Sequence, residues 1–149
     1  MFRGRFEYTM DAKGRVSLPA RFREVLRSRG DEKVMITNYF EDSLVGYAIE
    51  DWRRVEERVS RFNTFDRHAR RFQRWFMGAA MELSLDKQGR ILIPTSLRRY
   101  AGLDHEIVLQ GLGDKFEIWS RKRLEEEISQ VAEGLEESAQ YLAQSGLQL

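Results

Sequence analysis

An aspartate followed four residues later by an arginine, with a glycine just before the arginine, occurs twice in this chain: Asp11, Gly14 and Arg15, then Asp86, Gly89 and Arg90. A carboxylate at that spacing accepts N–H groups of its own turn or pairs with the guanidinium and holds it in place. Glycine supplies a positive φ at little steric cost, so Lys13-Gly14 and Gln88-Gly89 read as the tips of tight hairpins between short strands. A restrained arginine loses less side-chain entropy when it meets a phosphate or a base edge. Arginine is also the commonest reader of guanine in the major groove, which admits a two-stranded ribbon. The competing reading is an internal lock, in which each Asp and Arg only fix their own turn. Two copies, with Arg3, Arg5 and Arg21 close to the first in sequence, favour DNA.

Other chemistry finds little material. Asp11 and Asp86 form a conceivable carboxylate pair for hydrolysis, yet no histidine lies near either in sequence. A Gly-x-Ser-x-Gly elbow and a phosphate-binding glycine loop are also missing, so no catalytic residues are expected. There are no cysteines, and the two histidines, His68 and His105, are far apart. We therefore expect no disulfide, no metal and no cofactor. No stretch approaches the roughly 20 apolar residues of a membrane span, and Met1-Phe2-Arg3-Gly4-Arg5 leads into polar sequence rather than a signal peptide. A cytoplasmic protein with no membrane partner and no small-molecule substrate is expected.

The elements that must hold these turns repeat with them. Residues 11 to 23 and 86 to 98, 75 positions apart, share Asp11/Asp86, Gly14/Gly89, Arg15/Arg90, Pro19/Pro94 and Arg23/Arg98. Val16/Ile91, Leu18/Ile93 and Phe22/Leu97 keep apolar character at matching places. Phe2, Phe6 and Tyr8 alternate as in a half-buried strand, and Val16 to Leu18 and Ile91 to Ile93 suit short strands. Each reaches a proline that can open a helix, giving helices over Ala20 to Ser28 and Thr95 to Ala101 that Gly30 and Gly102 stop. Lys33 to Thr37, Leu44 to Ile49, Glu106 to Gln110 and Lys115 to Trp119 read as strands. Both halves thus give strand, turn, strand, helix, strand, strand, an α+β chain of two pseudo-symmetric units.

An amphipathic helix follows each unit. Trp52, Val55, Val59 and Phe62, then Phe65, Ala69, Phe72 and Phe76, make apolar stripes that should face a core. Leu124, Ile128, Val131 and Leu135 repeat the pattern in the second half. Gly134 weakens that helix, and the tail from Ser138 is expected to fray unless another subunit holds it. The organisation is a first unit over 1–50, a basic helical connector over 51–78, a second unit over 79–122, and an acidic C-terminal helix and tail over 123–149.

Net charge is only +1, but its distribution is uneven. Residues 1–30 carry eight cations against three carboxylates, a net +5, and residues 52–76 repeat that balance. Residues 124–149 hold six glutamates and no lysine or arginine. The basic helix from Arg53 to Arg74 is read as pairing with the acidic helix of a neighbouring subunit. Such a contact is head to tail and suits a ring.

Met1-Phe2-Arg3-Gly4, the two turn motifs, Gly78, Leu97-Arg98, Ala101-Gly102-Leu103 and Phe116-Glu117-Ile118-Trp119 closely resemble the MraZ family of bacterial transcriptional regulators, over nearly the whole chain. The resemblance implies two AbrB-like units forming a swapped-hairpin β-barrel, assembled into a closed homo-oligomeric ring. It also implies binding to promoter direct repeats in double-stranded DNA ahead of the division and cell-wall gene cluster, usually in repression, by a nucleoid-associated protein. The contacts it implies are Lys13, Arg15 and Arg90. Our physical division of labour gives base edges to Arg15 and Arg90 and phosphates to Arg3, Arg5, Lys13 and Lys87. Asp11, Gly14, Asp86 and Gly89 position the turns. The second copy differs in having Gln88 where Lys13 stands, with Lys87 one residue earlier. An antitoxin-like or scaffold protein on an AbrB-like barrel is the rival reading, with the acidic end as its capture segment.

Overall fold

Pro19 and Pro94 stand immediately before two short helices with φ of −53° and −56°, already set for helix entry. In the computed structural model, which describes residues 1–30 and 32–148, these helices are α1 (Ala20–Ser28) and α4 (Thr95–Ala101). Gly102 ends α4 in the left-handed conformation. Around them lie β1 (Arg5–Thr9), β2 (Arg15–Ser17), β3 (Lys33–Tyr39) and β4 (Ser43–Ala48) in the first half. The second half has β5 (Met81–Ser84), β6 (Arg90–Leu92), β7 (Glu106–Gly111) and β8 (Phe116–Ser120). The order strand, turn, strand, helix, strand, strand is thus present twice.

The pairing is what the local pattern did not contain. β1 and β2 do not pair with each other across their turn, so the expected hairpin is absent. Instead β2 pairs antiparallel with β6, its counterpart in the other half, and β1 pairs with β7. The remaining ladder gives a six-stranded antiparallel sheet in the order β1-β7-β8-β4-β3-β5, with β2-β6 as a separate two-stranded ribbon. Exchanging each strand for its repeat reverses that order onto itself, so the sheet has a pseudo-twofold axis between β8 and β4. Because β1 and β5 are its edges, no closed barrel forms among the described residues. The swapped-hairpin β-barrel that the family resemblance implies is corrected here to an interleaved open sheet with a ribbon on one face.

The main core lies between that face and the ribbon. Val16 and Ile91 of the ribbon, Phe22 and Leu26 of α1 and Leu97 of α4 pack on Ile36, Leu44, Ile107, Leu109, Phe116 and Ile118, all essentially without solvent exposure. Phe2, Phe22 and Phe116 form edge-on and tilted contacts at 5.1–5.2 Å between ring centres. The opposite face is covered by helices: α2 (Ile49–Ser60) and α3 (Arg67–Phe76) on β3 and β4, and α5 (Arg121–Gln144) beside β7 and β8.

Two helical expectations need correction. The basic helix is broken between Ser60 and Arg67, because Asn63 accepts from the Phe65 N–H and Asp66 caps α3 by accepting from His68 and Ala69. Phe62 and Phe65 therefore leave the apolar stripe and are exposed, Phe65 at 91%. The final helix does not fray at Ser138 but continues to Gln144, and it buries only Leu124 of its stripe.

The interleaving has a direct consequence. A chain ending at Phe76 keeps β3 and β4 but lacks the partners of β1 and β2, and we expect no folded monomer from it. Circular dichroism with sedimentation velocity tests this; a folded monomeric fragment contradicts the pairing. Within the whole chain, Ile91→Ala is expected to cost about 2–5 kcal/mol as a buried truncation, read by urea unfolding.

Candidate nucleic-acid interface

Each turn is closed by its aspartate in the same way. Asp11 Oδ1 accepts from the backbone N–H of Lys13 at 3.0 Å and of Arg15 at 2.9 Å, and Oδ2 accepts from Arg15 Nε at 2.6 Å. Asp86 repeats this with Gln88 N–H, Arg90 N–H and Arg90 Nε, each at 2.9 Å. Gly14 and Gly89 take φ of +91° and +74° and donate to the Asp11 and Asp86 carbonyls. The alternative of an internal lock is thereby half right: each carboxylate does hold its arginine. It holds it through Nε, however, which is one of five N–H donors on a guanidinium. No hydrogen bond engages the terminal amino groups of Arg15 or Arg90 among the described residues, and the two side chains are 33% and 26% exposed. What remains is a donor fork of fixed direction, suited to a phosphate or a guanine edge.

The ribbon brings both turns to one place. Its ladder sets Arg15 opposite Leu92 and Ser17 opposite Arg90, with Val16 and Ile91 buried beneath. Arg15, Ser17, Arg90 and Leu92 therefore share the outward face, and the two arginines are diagonal neighbours roughly 7–8 Å apart by ladder geometry. Arg90 Nη1 lies 3.9 Å from Asp11 Oδ2, so the first carboxylate faces both guanidinium groups. Beyond the ladder, Leu18 donates to the Gly89 carbonyl and Ile93 to the Gly14 carbonyl, each at 3.0 Å. The turns are thus joined crosswise. Lys13 and Lys87 are exposed within them.

Arg3 and Arg5 do not join this cluster. Arg5 sits at the far end of β1 from Asp11, and six extended residues amount to roughly 20 Å. The register also puts Arg5 with Gln110 on the α5 side of the sheet, where its Nε donates to the Gln110 side chain at 2.9 Å. Closeness in sequence missed this because β1 runs from Arg5 to Thr9 and carries Arg5 away from the turn. The basic helices are separated still further, since α2 and α3 cover the sheet face opposite the ribbon. Sequence reasoning gave no role to Leu92, 55% exposed on the ribbon face, or to Ser17 across from Arg90. Strand alternation was the available signal: a position flanked by buried Ile91 and Ile93 must point outward.

Electrostatics agrees with the hydrogen bonding. The Arg15 backbone N–H is the chief cause holding the Asp11 carboxyl below the ordinary aspartate value of 3.8; partial burial opposes it and the Arg15 side chain adds to it. Asp86 is lowered for the same reason by Arg90. No group of three or more potential metal-binding side chains occurs among the described residues, and no described helix is long and apolar enough to cross a membrane.

Comparison with known proteins adds an independent finding. A family model described as "MraZ protein, putative antitoxin-like" matches residues 1–75 and again 76–145, so its two matches divide the chain where the repeat does. A protein named "Transcriptional regulator MraZ" from Solidesulfovibrio magneticus is 45% identical over the whole of this chain and 99% of its own length. Relatives with the same name from Desulforapulum autotrophicum and Leuconostoc citreum are 44% and 37% identical, covering 91% and 95% of this chain and 91% and 96% of their own.

The lowered carboxyl values fix a sign. A group whose folded-state pKa is depressed stabilises the fold above its unfolded value and loses that contribution as pH falls through the folded value. The stability gap between the parent and an Asp11→Ala, Asp86→Ala variant should be widest near neutral pH and close below the usual aspartate range. Denaturant unfolding at a series of pH values measures it, and a gap that widens toward acid contradicts the assignment.

Proposed function

The chain belongs to the MraZ family, and from that premise we propose that it is a sequence-specific DNA-binding transcriptional regulator that reads promoter DNA through the β2–β6 ribbon. The observation that carries this reading is the pair of arginines on one ribbon face, each aimed through Nε by its own aspartate, with no hydrogen bond on its terminal amino groups among the described residues. In it, Arg15 and Arg90 reach base edges while Lys13 and Lys87 hold phosphates. Leu92 meets apolar base surface such as a thymine methyl, and Ser17 hydrogen-bonds beside Arg90. Arg3 and Arg5, remote from the ribbon, serve phosphates only where the duplex or an adjoining subunit extends past the edge strand. The two interleaved halves correspond to the AbrB-like units of the resemblance. The regulated promoter is that of the division and cell-wall cluster, its direct repeats match repeated ribbons, repression is the outcome, and the protein works in the cytoplasm at the nucleoid.

Repetition of the ribbon comes from assembly. α5 leaves Ile128, Val131, Leu135 and Leu142 uncovered beside its glutamates, while Phe62 and Phe65 stand exposed among the arginines of α2 and α3. Apolar surface and opposite charge thus match between different parts of the molecule, which suits a heterologous contact and a closed ring. A ring multiplies weak single contacts into avidity when its spacing matches the repeats on DNA. The same uncovered helix is what favours the second reading, an antitoxin-like or scaffold protein. The two readings part on removal of residues 138–149: selective DNA binding survives if the ribbon carries function, whereas on the second reading partner capture is lost and any DNA binding is weak and unselective.

A gel shift with duplex from upstream of the chain's own gene tests the main reading. Arg15→Ala and Arg90→Ala are each expected to cost about 1–3 kcal/mol and to relax sequence preference, whereas Lys13→Ala weakens all sequences alike and lowers the salt slope by about one. An Arg15→Ala, Arg90→Ala variant that binds as tightly and as selectively as the parent contradicts it.

A further inference from the structure

Arg23 and Arg98 are identical positions of the two copies and have no part in the contact just described. Each lies across the turn of the opposite copy. Arg98, on α4, donates from Nε to the Ile93 carbonyl and from Nη2 to Thr95 Oγ1, both at 2.9 Å. These bonds set its guanidinium flat against Gly14, where a methyl group would stand 2.6 Å from Cζ and 2.7 Å from Nε. Ile93, whose carbonyl receives Arg98, gives its own N–H to the Gly14 carbonyl. Gly14 is thereby gripped by the second half of the chain, although the arginine it serves, Arg15, belongs to the first. Arg23, on α1, covers Gly89 in the same way: a methyl group there would lie 2.7 Å from both Cδ and Nη1. Leu18 supplies the matching N–H to the Gly89 carbonyl.

We propose that Arg98 is a positioning residue for Arg15 and Arg23 for Arg90, each acting across the pseudo-twofold axis on the turn that the other copy presents. Its consequence for recognition rests on the DNA-binding reading above; its geometry does not. The glycines acquire a second requirement beyond positive φ, since any side chain would displace the covering guanidinium. Lysine cannot replace either arginine, because it lacks the flat plane that lies on the glycine, and at Arg98 also the bonded Nε donor. The copies are also unequal. Arg98 Nε is hydrogen-bonded, whereas Arg23 Nε is buried without a partner, so the grip on Gly14 is the firmer one.

Hydrogen exchange over peptides spanning each turn, read by mass spectrometry, tests the crossing in the full chain. Arg98→Ala should loosen the Asp11 to Arg15 turn and leave the Asp86 to Arg90 turn protected, Arg23→Ala should do the reverse, and Arg98→Lys should behave as Arg98→Ala. Binding to duplex from upstream of the chain's own gene, against a scrambled duplex, supplies the second arm. Arg98→Ala should weaken it roughly three- to tenfold in the parent and in Arg90→Ala, and by less than about twofold in Arg15→Ala, as coupling through one contact requires. Equal loosening of both turns, or an equal loss in the Arg15→Ala and Arg90→Ala backgrounds, overturns the proposal. Should the parent not distinguish the two duplexes, the DNA-binding reading fails and the exchange pattern alone decides the crossed positioning.

Discussion

Three residues of β2 paired with three of β6 are the contact on which the molecule turns. The ribbon is short, yet it is the join between the two copies at the surface that carries their charged turns. Its inward side chains, Val16 and Ile91, are fully buried, so the outward side chains have no freedom to rotate inward. The ladder continues at each end into the glycine of the opposite turn. Two turns 75 residues apart in sequence thus become a single rigid surface, and their arginines are oriented by carboxylates rather than left to solvent. Entropy that a mobile arginine would lose on binding has already been lost in folding.

The rest of the fold is a support for that join. One face of the sheet, with α1 and α4, supplies the apolar bed of the ribbon, and the other carries α2, α3 and α5. This separates charges that a sum over the sequence cannot. The arginines of residues 1–30 are divided between ribbon, α1 and edge strand, while those of 52–76 lie on the far face. A net charge of +1 conceals one surface suited to a polyanion and another whose arginines and exposed aromatics suit an acidic, apolar helix.

Much of the local structure was legible. The helix bounds at Ala20, Ser28, Thr95 and Ala101 follow from proline before and glycine after, and the aspartate, glycine and arginine of each turn stated their own hydrogen bonds. Partner choice was not legible, because alternation along β2 identifies a buried face without saying which strand lies beside it. The break before α3 was written in Asn63 and Asp66, but the aromatic spacing across it looked continuous. Gly134 costs about 1 kcal/mol in a helix interior, too little to end a 24-residue helix. Arg23 and Arg98 were visible as an identity only; their function lies across the axis, where no single copy contains it.

The most direct test is residue-by-residue protection of arginines from a guanidinium-modifying dicarbonyl as duplex from upstream of the chain's own gene is added. Arg15 and Arg90 should lose reactivity together, at the same DNA concentration, while the reactivity of Arg53, Arg58, Arg71 and Arg74 does not change on adding DNA. Protection of the α2 and α3 arginines with Arg15 and Arg90 unchanged would contradict the account.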